Sequence, residues 1–395
     1  MEVFVTGIGV VSALGIGVEV NYNALKSEQT GVKPNTLLNN LFVETHVGEL
    51  SKSNNELKAL LGIPLENEIP RTALLGIFAA KEALGKTKLN ADFRTGFING
   101  STVGGMDLTE NYFREYFLED NHQNFAVTAT HDIGTVSEII ANSLGKFGYV
   151  NTISTACSSS ANTIMLGARM IKAGLIDRVI VGGTDAISNF TISGFRSLMI
   201  YDNNLCTPFD GERKGLNLGE GAGFLLLENE ASIKESKNTV LAKVTGWSNA
   251  NDAFHQTGTS PNGDGAVKAM QGALKVAELN ASQIDYVNAH GTATPTNDQS
   301  ESNALVRVFG DEKIAYSSTK GFTGHTLGAS GGIESVFSIL SLQNQCVLPN
   351  INWKNKMDGF DNVPVTKFAS QKVNHVMSNS FGFGGNSTSL IFSKS

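Results

Sequence analysis

Cysteine is scarce in this chain: only Cys157, Cys206 and Cys346 occur among 395 residues. They are odd in number and far apart, and no two form a CxxC pair. Neither a disulfide framework nor a zinc site is supported. Long apolar runs are missing too: nowhere do about twenty consecutive apolar residues occur, so no membrane-spanning helix is expected. No lysine or arginine precedes Lys26. The apolar stretch GIGVVSALGIGV therefore lacks the basic flank of a signal peptide. The net charge is −7, with no long run of one sign. That argues against nucleic acid or an anionic membrane as partner. These absences together lead us to expect a soluble, cytoplasmic protein.

What is present describes a well-packed chain. Hydrophobic residues make up 41% and charged residues 17%, a balance that excludes intrinsic disorder. The length exceeds one ordinary core and fits two fused halves. The 42 glycines, roughly a tenth of the chain against a usual ~7%, predict tight turns and close backbone approaches. Val3–Gly7, Arg178–Gly183 and Ala222–Leu227 read as strands, the last two as continuous apolar runs buried on both faces. The charged stretch NEASIKESKN follows Glu228, and a new strand opens at Thr239–Gly246. The boundary is therefore expected near Ser236, giving units 1–236 and 237–395. Ile284–Ala289, His375–Ser380 and Ser389–Phe392 read as strands of the second unit. VFVTGIG opens one unit and AKVTGWS the other, which hints at an internal duplication. Strands alternating with helices imply an α/β fold with buried mixed sheets. One helix is predicted over Ser158–Ala173, stopped by Gly174. Another is predicted over Ala329–Leu342, with Ile333, Val336, Phe337 and Leu340 on one stripe.

The stretch STACSSS places Cys157 between small residues, at the joint of a strand and the first of these helices. A helix N-terminus favours thiolate and lowers a thiol pKa from ~8.5. The flanking small residues leave room for a substrate carbonyl. A buried cysteine acting as an apolar filler is the alternative at that position. NAHGTAT puts His290 directly after an apolar strand, and KGFTGH puts His325 just ahead of the second helix. SFGFGGN is a glycine-rich turn between two strands, able to aim backbone N–H groups at a ligand. A nucleophile, two histidines and a donor-rich turn at strand ends are hard to explain as four separate structural accidents. Gly7, Gly9 and Gly15 have the wrong spacing for a dinucleotide loop. Asp298 and Glu301 are read as structural supports, and Cys206 and Cys346 as packing residues.

Five motifs in fixed order, TACSSS, DGERKGLNLGEGAG, NAHGTATPTNDQSE, STKGFTGHTLGASGGIE and SNSFGFGGN, resemble those of β-ketoacyl-[acyl carrier protein] synthases, chiefly the type I/II elongating enzymes. The resemblance covers nearly the whole chain. It implies a thiolase-type fold, two similar halves in a five-layer α-β-α-β-α arrangement. It implies a transferase that performs a decarboxylative Claisen condensation in fatty acid biosynthesis and extends an acyl chain by two carbons. Cys157 matches the family nucleophile, and His290 and His325 match the active-site histidines. Lys320 and Glu334 match the supporting pair. Phe383 matches a gating phenylalanine whose N–H forms an oxyanion hole with that of Cys157. Thr292 and Thr294 match contacts to the pantetheine arm, and Val103 and Phe195 match the acyl-pocket lining. No metal and no resident cofactor are implied, since the substrates ride on the phosphopantetheine of acyl carrier protein. The implied assembly is a homodimer or a heterodimer with a chain-length partner. Arg213-Lys214-Gly215-Leu216 departs from the family's RDGF, and Pro70-Arg71-Thr72-Ala73 lacks a common acidic residue. These departures bear on the substrate, so the same chemistry in a polyene or polyketide pathway stays open. Non-catalytic partner subunits usually lack the cysteine, which this chain has. A cysteine hydrolase suits the second histidine and Lys320 less well. A biosynthetic thiolase needs a second cysteine acting as base near the C-terminus, and nothing after Cys346 can serve.

Overall fold

The apolar runs assemble into two five-stranded sheets with the same strand order. The computed structural model describes residues 1–36, 42, 44–89, 92–119, 123–310 and 313–395. The first sheet contains Phe4–Ser12, Thr95–Gly100, Tyr149–Ile153, Arg178–Asp185 and Gly221–Glu228. Counted along the chain, these strands lie in the spatial order 1-5-4-2-3. The first two pairings in that row are antiparallel and the last two parallel. The second sheet contains Ala242–Asn251, Tyr286–Asn288, Tyr316–Ser317, His375–Gly382 and Asn386–Ser393. Its order and its pairing senses repeat those of the first. Phe4 pairs with Lys243 and Val5 with Ala242, which joins the sheets edge to edge. The duplication hinted at by VFVTGIG and AKVTGWS is thus a duplication of topology.

That short repeat has a physical cause. A Cβ at Gly7 would overlap the carbonyl oxygen of Ala83, and one at Gly246 would overlap that of Ala273. Each glycine lets the first strand of its sheet touch the backbone of the outer helix that covers it. Those helices are Arg71–Leu84 and Asp264–Ala277. Ile133–Leu144 packs beside the former and Pro295–Phe309 beside the latter. The helices Ser159–Lys172 and Ser330–Asn344 fill the space between the sheets. Five layers result, α-β-α-β-α.

The central helix Ser330–Asn344 differs from the one-sided stripe expected. Every residue from Ser330 to Leu342 is buried, so it has no solvent face. Apart from Glu334, its buried polar positions are serines, with Ser335 Oγ donating to Gly331 O and Ser338 Oγ to Glu334 O at 2.8 Å. Small residues with locally satisfied hydroxyls let a helix lie between two sheets. No described helix is long and apolar enough to cross a membrane.

Candidate active site

Cys157 sits in a tight turn after the edge strand Tyr149–Ile153. Ala156 adopts a left-handed backbone, φ 53°, a strain of about 1–3 kcal/mol for a non-glycine residue. The neighbouring serines hold it. Thr155 N–H donates to Ser159 Oγ at 2.9 Å, and Ser159 Oγ donates to Ala156 O at 2.6 Å. Ser158 Oγ reaches both Thr155 O and Asn386 Oδ1 at 2.7 Å. Asn162 Nδ2 also donates to Asn386 Oδ1, at 3.1 Å. Ser160 Oγ accepts from Gly332 N–H at 2.8 Å. The serines of STACSSS therefore clamp the turn to the second half, while Ala156 and Cys157 line open space beside the sulfur. The open side of Cys157 faces the histidines and Phe383.

The second half delivers the remaining groups from three strand ends. His290 follows Tyr286–Asn288, and Glu301 fixes its loop by accepting from His290 N–H at 2.9 Å and Gly291 N–H at 2.8 Å. Asp298 accepts from Phe209 N–H at 2.7 Å and lies 3.7 Å from Arg213. Both carboxylates are structural supports, as expected. Lys320 opens a short helix, Lys320–Thr323, and is almost fully buried. Its ammonium donates to Glu334 Oε1 and to His290 O, and lies 3.2 Å from His290 Nδ1. His325 Nδ1 accepts from Leu327 N–H at 3.1 Å, with Ser330 Oγ also at 3.1 Å.

These contacts settle the histidine tautomers. An ammonium and a backbone N–H can only donate, so each Nδ1 is an acceptor and each Nε2 carries the proton. The two rings stand edge to face with centroids 5.4 Å apart. Ligand atoms of Cys157, His290 and His325 lie within 4.8 Å of one another. Three such donors could ligate a soft metal, but the Lys320 ammonium against His290 opposes a dication there.

Burial dominates the titration of Cys157, His290, His325 and Glu334. It pushes both histidines well below the ordinary imidazole pKa, helped by the Lys320 charge. The rings are therefore neutral Nε2–H donors at pH 7. Glu334 is pushed up to about 7 by burial, against the pull of Lys320. The Cys157 thiol is pushed up to about 11, also by burial. Lys320 and the N–H groups of Phe383 and of Cys157 itself pull the other way, and Asp185 adds to the rise. This corrects the expected lowering by a helix dipole. The helix starts at Ser159, beyond the cysteine. A helix terminus is worth about 0.3–1 kcal/mol, under one pK unit, too little to outweigh burial. The low pKa of His325 likewise comes from burial and Lys320 rather than from the following helix.

Two cavities meet at the sulfur. One, of about 410 Å³, is lined by Thr292, Thr294, His290 and His325 and leads outward past His255 and Pro295. The other, of about 400 Å³, is mostly apolar and lined by Val103, Met106, Leu198 and Leu327. Cys157, Phe195 and Phe383 line both. The rings of Phe195 and Phe383 stack at 5.8 Å and 21°, so the two side chains form the partition between the cavities. Thr292 Oγ1 and Thr294 Oγ1 lie 2.9 Å apart, and Thr294 also caps the helix Pro295–Phe309. Leu216, one of the departures noted above, lines the outer cavity. Sequence reasoning overlooked Asn386, which ties the Cys157 turn across the halves. It also overlooked Asp185, whose one signal was a carboxylate ending the wholly buried strand Arg178–Asp185. Cys206 and Cys346 are free and buried, as packing residues would be.

Comparison with known proteins agrees in each half. Residues 1–232 match the N-terminal domain of beta-ketoacyl synthases, and residues 241–354 match the C-terminal domain. A 3-oxoacyl-[acyl-carrier-protein] synthase 2 from Staphylococcus aureus (strain MRSA252) is 32% identical over 413 residues, covering 100% of this chain and 98% of its own. The enzyme of that name from Vibrio cholerae is 32% identical over 419 residues, covering 100% and 99%. Among solved structures, the ishigamide ketosynthase/chain length factor superposes with a TM-score of 0.91 at 26% identity, covering 100% of this chain and 99% of that one.

Proposed function

The chain belongs to the β-ketoacyl synthase family, and from that premise we propose that it elongates acyl chains in fatty acid biosynthesis by condensing an acyl-Cys157 with malonyl-[acyl carrier protein]. The observation that carries this reading is the convergence of two neutral Nε2–H donors on one buried thiol where two cavities meet.

The chemistry follows from those groups. In the first step the Cys157 sulfur attacks the carbonyl of an acyl thioester whose pantetheine arm lies in the outer cavity along Thr292 and Thr294. A bond from Cys157 to the acyl carbon forms, the bond to the pantetheine sulfur breaks, and the cysteine proton ends on the departing thiol. The N–H groups of Phe383 and Cys157 meet the oxygen of the tetrahedral intermediate, each worth about 3 kcal/mol in such a site. The acyl chain occupies the apolar cavity along Val103 and Phe195. In the second step malonyl thioester loses carbon dioxide, and the released electron pair leaves an enolate. His290 and His325 donate to its oxygen. Because both rings are neutral donors, they stabilise the enolate without protonating its carbon. The carbon attacks the acyl group, the bond to Cys157 breaks, and the sulfur regains a proton from water. Lys320 holds His290 and supplies a fixed positive charge beside it, and Glu334 holds Lys320.

The partner is acyl carrier protein, the assembly a homodimer and the compartment the cytoplasm. No resident cofactor is needed. A second reading keeps the chemistry and changes the pathway to a polyketide or polyene, with a chain-length partner in place of the second copy. The likeness to the ishigamide ketosynthase/chain length factor favours it. Release of labelled carbon dioxide from malonyl carrier, dependent on acyl carrier, tests the first reading. A Cys157→Ala protein should show no acyl-dependent condensation. Acyl-dependent condensation by that variant would contradict the role given to Cys157.

A further inference from the structure

We propose that Asp185 is a positioning residue that ties the wall of the acyl cavity to the turn holding His325. The inference rests on the condensation reading above.

Asp185 ends the strand Arg178–Asp185 and is fully buried. Its carboxylate accepts from Ser101 Oγ at 2.7 Å, Thr102 N–H at 3.0 Å, Thr102 Oγ1 at 2.6 Å and Val103 N–H at 3.2 Å. These donors belong to the turn after Thr95–Gly100, and Thr102 and Val103 line the acyl cavity. A fifth donor comes from the other half, Gly328 N–H at 2.7 Å. Gly328 follows Leu327, whose N–H fixes His325 Nδ1 and whose side chain lines the same cavity. Leu327 is held at φ 53°, a left-handed conformation that persists only where neighbours over-determine it.

These five donors are all neutral N–H or O–H groups. A buried carboxylate is tolerated when several N–H and O–H groups satisfy it. Here all of them come from two turns that belong to different halves. Its charge also opposes ionisation of Cys157, a disadvantage for the nucleophile that the positioning offsets. Lys320, His290 and His325 are the other titratable groups around that sulfur. A chain filling the acyl cavity presses on Val103 and Leu327, and the N–H groups of Val103 and of Gly328, the residue after Leu327, are anchored at the same carboxylate. Acylation and the orientation of His325 are thereby linked through one rigid contact. Asparagine cannot replace it, because its NH₂ group would face backbone N–H donors.

The test uses ¹⁵N-histidine NMR of the full-length protein, with the His325 signals assigned by comparison with His325→Gln. The two half-reactions, Cys157 acylation and malonyl-dependent condensation, are timed separately. The wild type should show His325 as the Nε2–H tautomer. Asp185→Asn should shift those signals toward a mixture of tautomers and cut condensation about ten-fold or more, while acylation changes less than about three-fold. Thr102→Val, which removes a single hydroxyl bond and keeps the volume, should move both readouts in the same direction by a smaller factor. Unchanged His325 signals in folded Asp185→Asn would overturn the proposal, as would equal loss of both half-reactions. Should Asp185→Asn fail to fold, unchanged signals and rates in Thr102→Val would overturn it. A wild type that is never acylated would sink the condensation reading instead, and the NMR comparison would still decide on Asp185.

Discussion

The backbone N–H of Leu327 donates to Nδ1 of His325 at 3.1 Å, and this bond places the only proton of a neutral ring on Nε2, toward the sulfur. The role proposed for it is donation to the enolate rather than proton removal from Cys157. His325→Ala should keep most of the Cys157 acylation and lower condensation about hundred-fold, the usual loss of one fixed donor. Separate timing of the two half-reactions checks this, and equal loss in both would contradict it.

The thiol of Cys157 should stay protonated in the free protein far above the pH at which an exposed cysteine ionises. Burial raises its pKa to about 11. Iodoacetamide alkylation of Cys157 should therefore rise about ten-fold per pH unit from 7 to 10, with no plateau near 8.5. Lys320→Met removes the positive charge that lowers this pKa, so the same profile should move further up. A plateau below pH 9 in the wild type would show that the N–H donors outweigh burial.

Val103 forms part of the wall of the apolar cavity, and only 7% of its surface is exposed. Val103→Phe should fill part of that space and shift the accepted acyl chains shorter. Relative acylation rates across a series of acyl carriers measure it. Unchanged preferences would show that the chain runs elsewhere.

Gly246 touches the helix Asp264–Ala277 without a side chain between them. Gly246→Ala should destabilise the fold by about 1–3 kcal/mol through overpacking, and Gly7→Ala by a similar amount. Thermal melts of both variants check this. A melting temperature unchanged in both would mean that the helices move away freely.

Much of this site could be read from the chain because its residues occupy strand ends. Apolar runs located most strands of both sheets, though not Thr95–Gly100 or Tyr316–Ser317, and Cys157, His290 and Phe383 fall just beyond such runs. The structure brings all three together with Lys320, His325 and Glu334. The thiol pKa ran opposite to expectation because it depends on burial by residues more than a hundred positions away, which local sequence does not carry. The same holds for the serines after Cys157. Their partners Asn386 and Gly332 lie in the other half. Phe195 was expected as pocket lining alone, and only the stacked geometry shows it sharing the partition with Phe383. Asp185 escaped notice because its donors come from two distant turns.

The most direct measurement is intact-mass spectrometry of the protein after incubation with an acyl carrier, followed by malonyl carrier. The account predicts a single acyl adduct that maps to Cys157, then disappears as a carrier-bound β-ketoacyl product two carbons longer is formed. An adduct on another residue, or one released only as free acid when malonyl carrier is added, would contradict it.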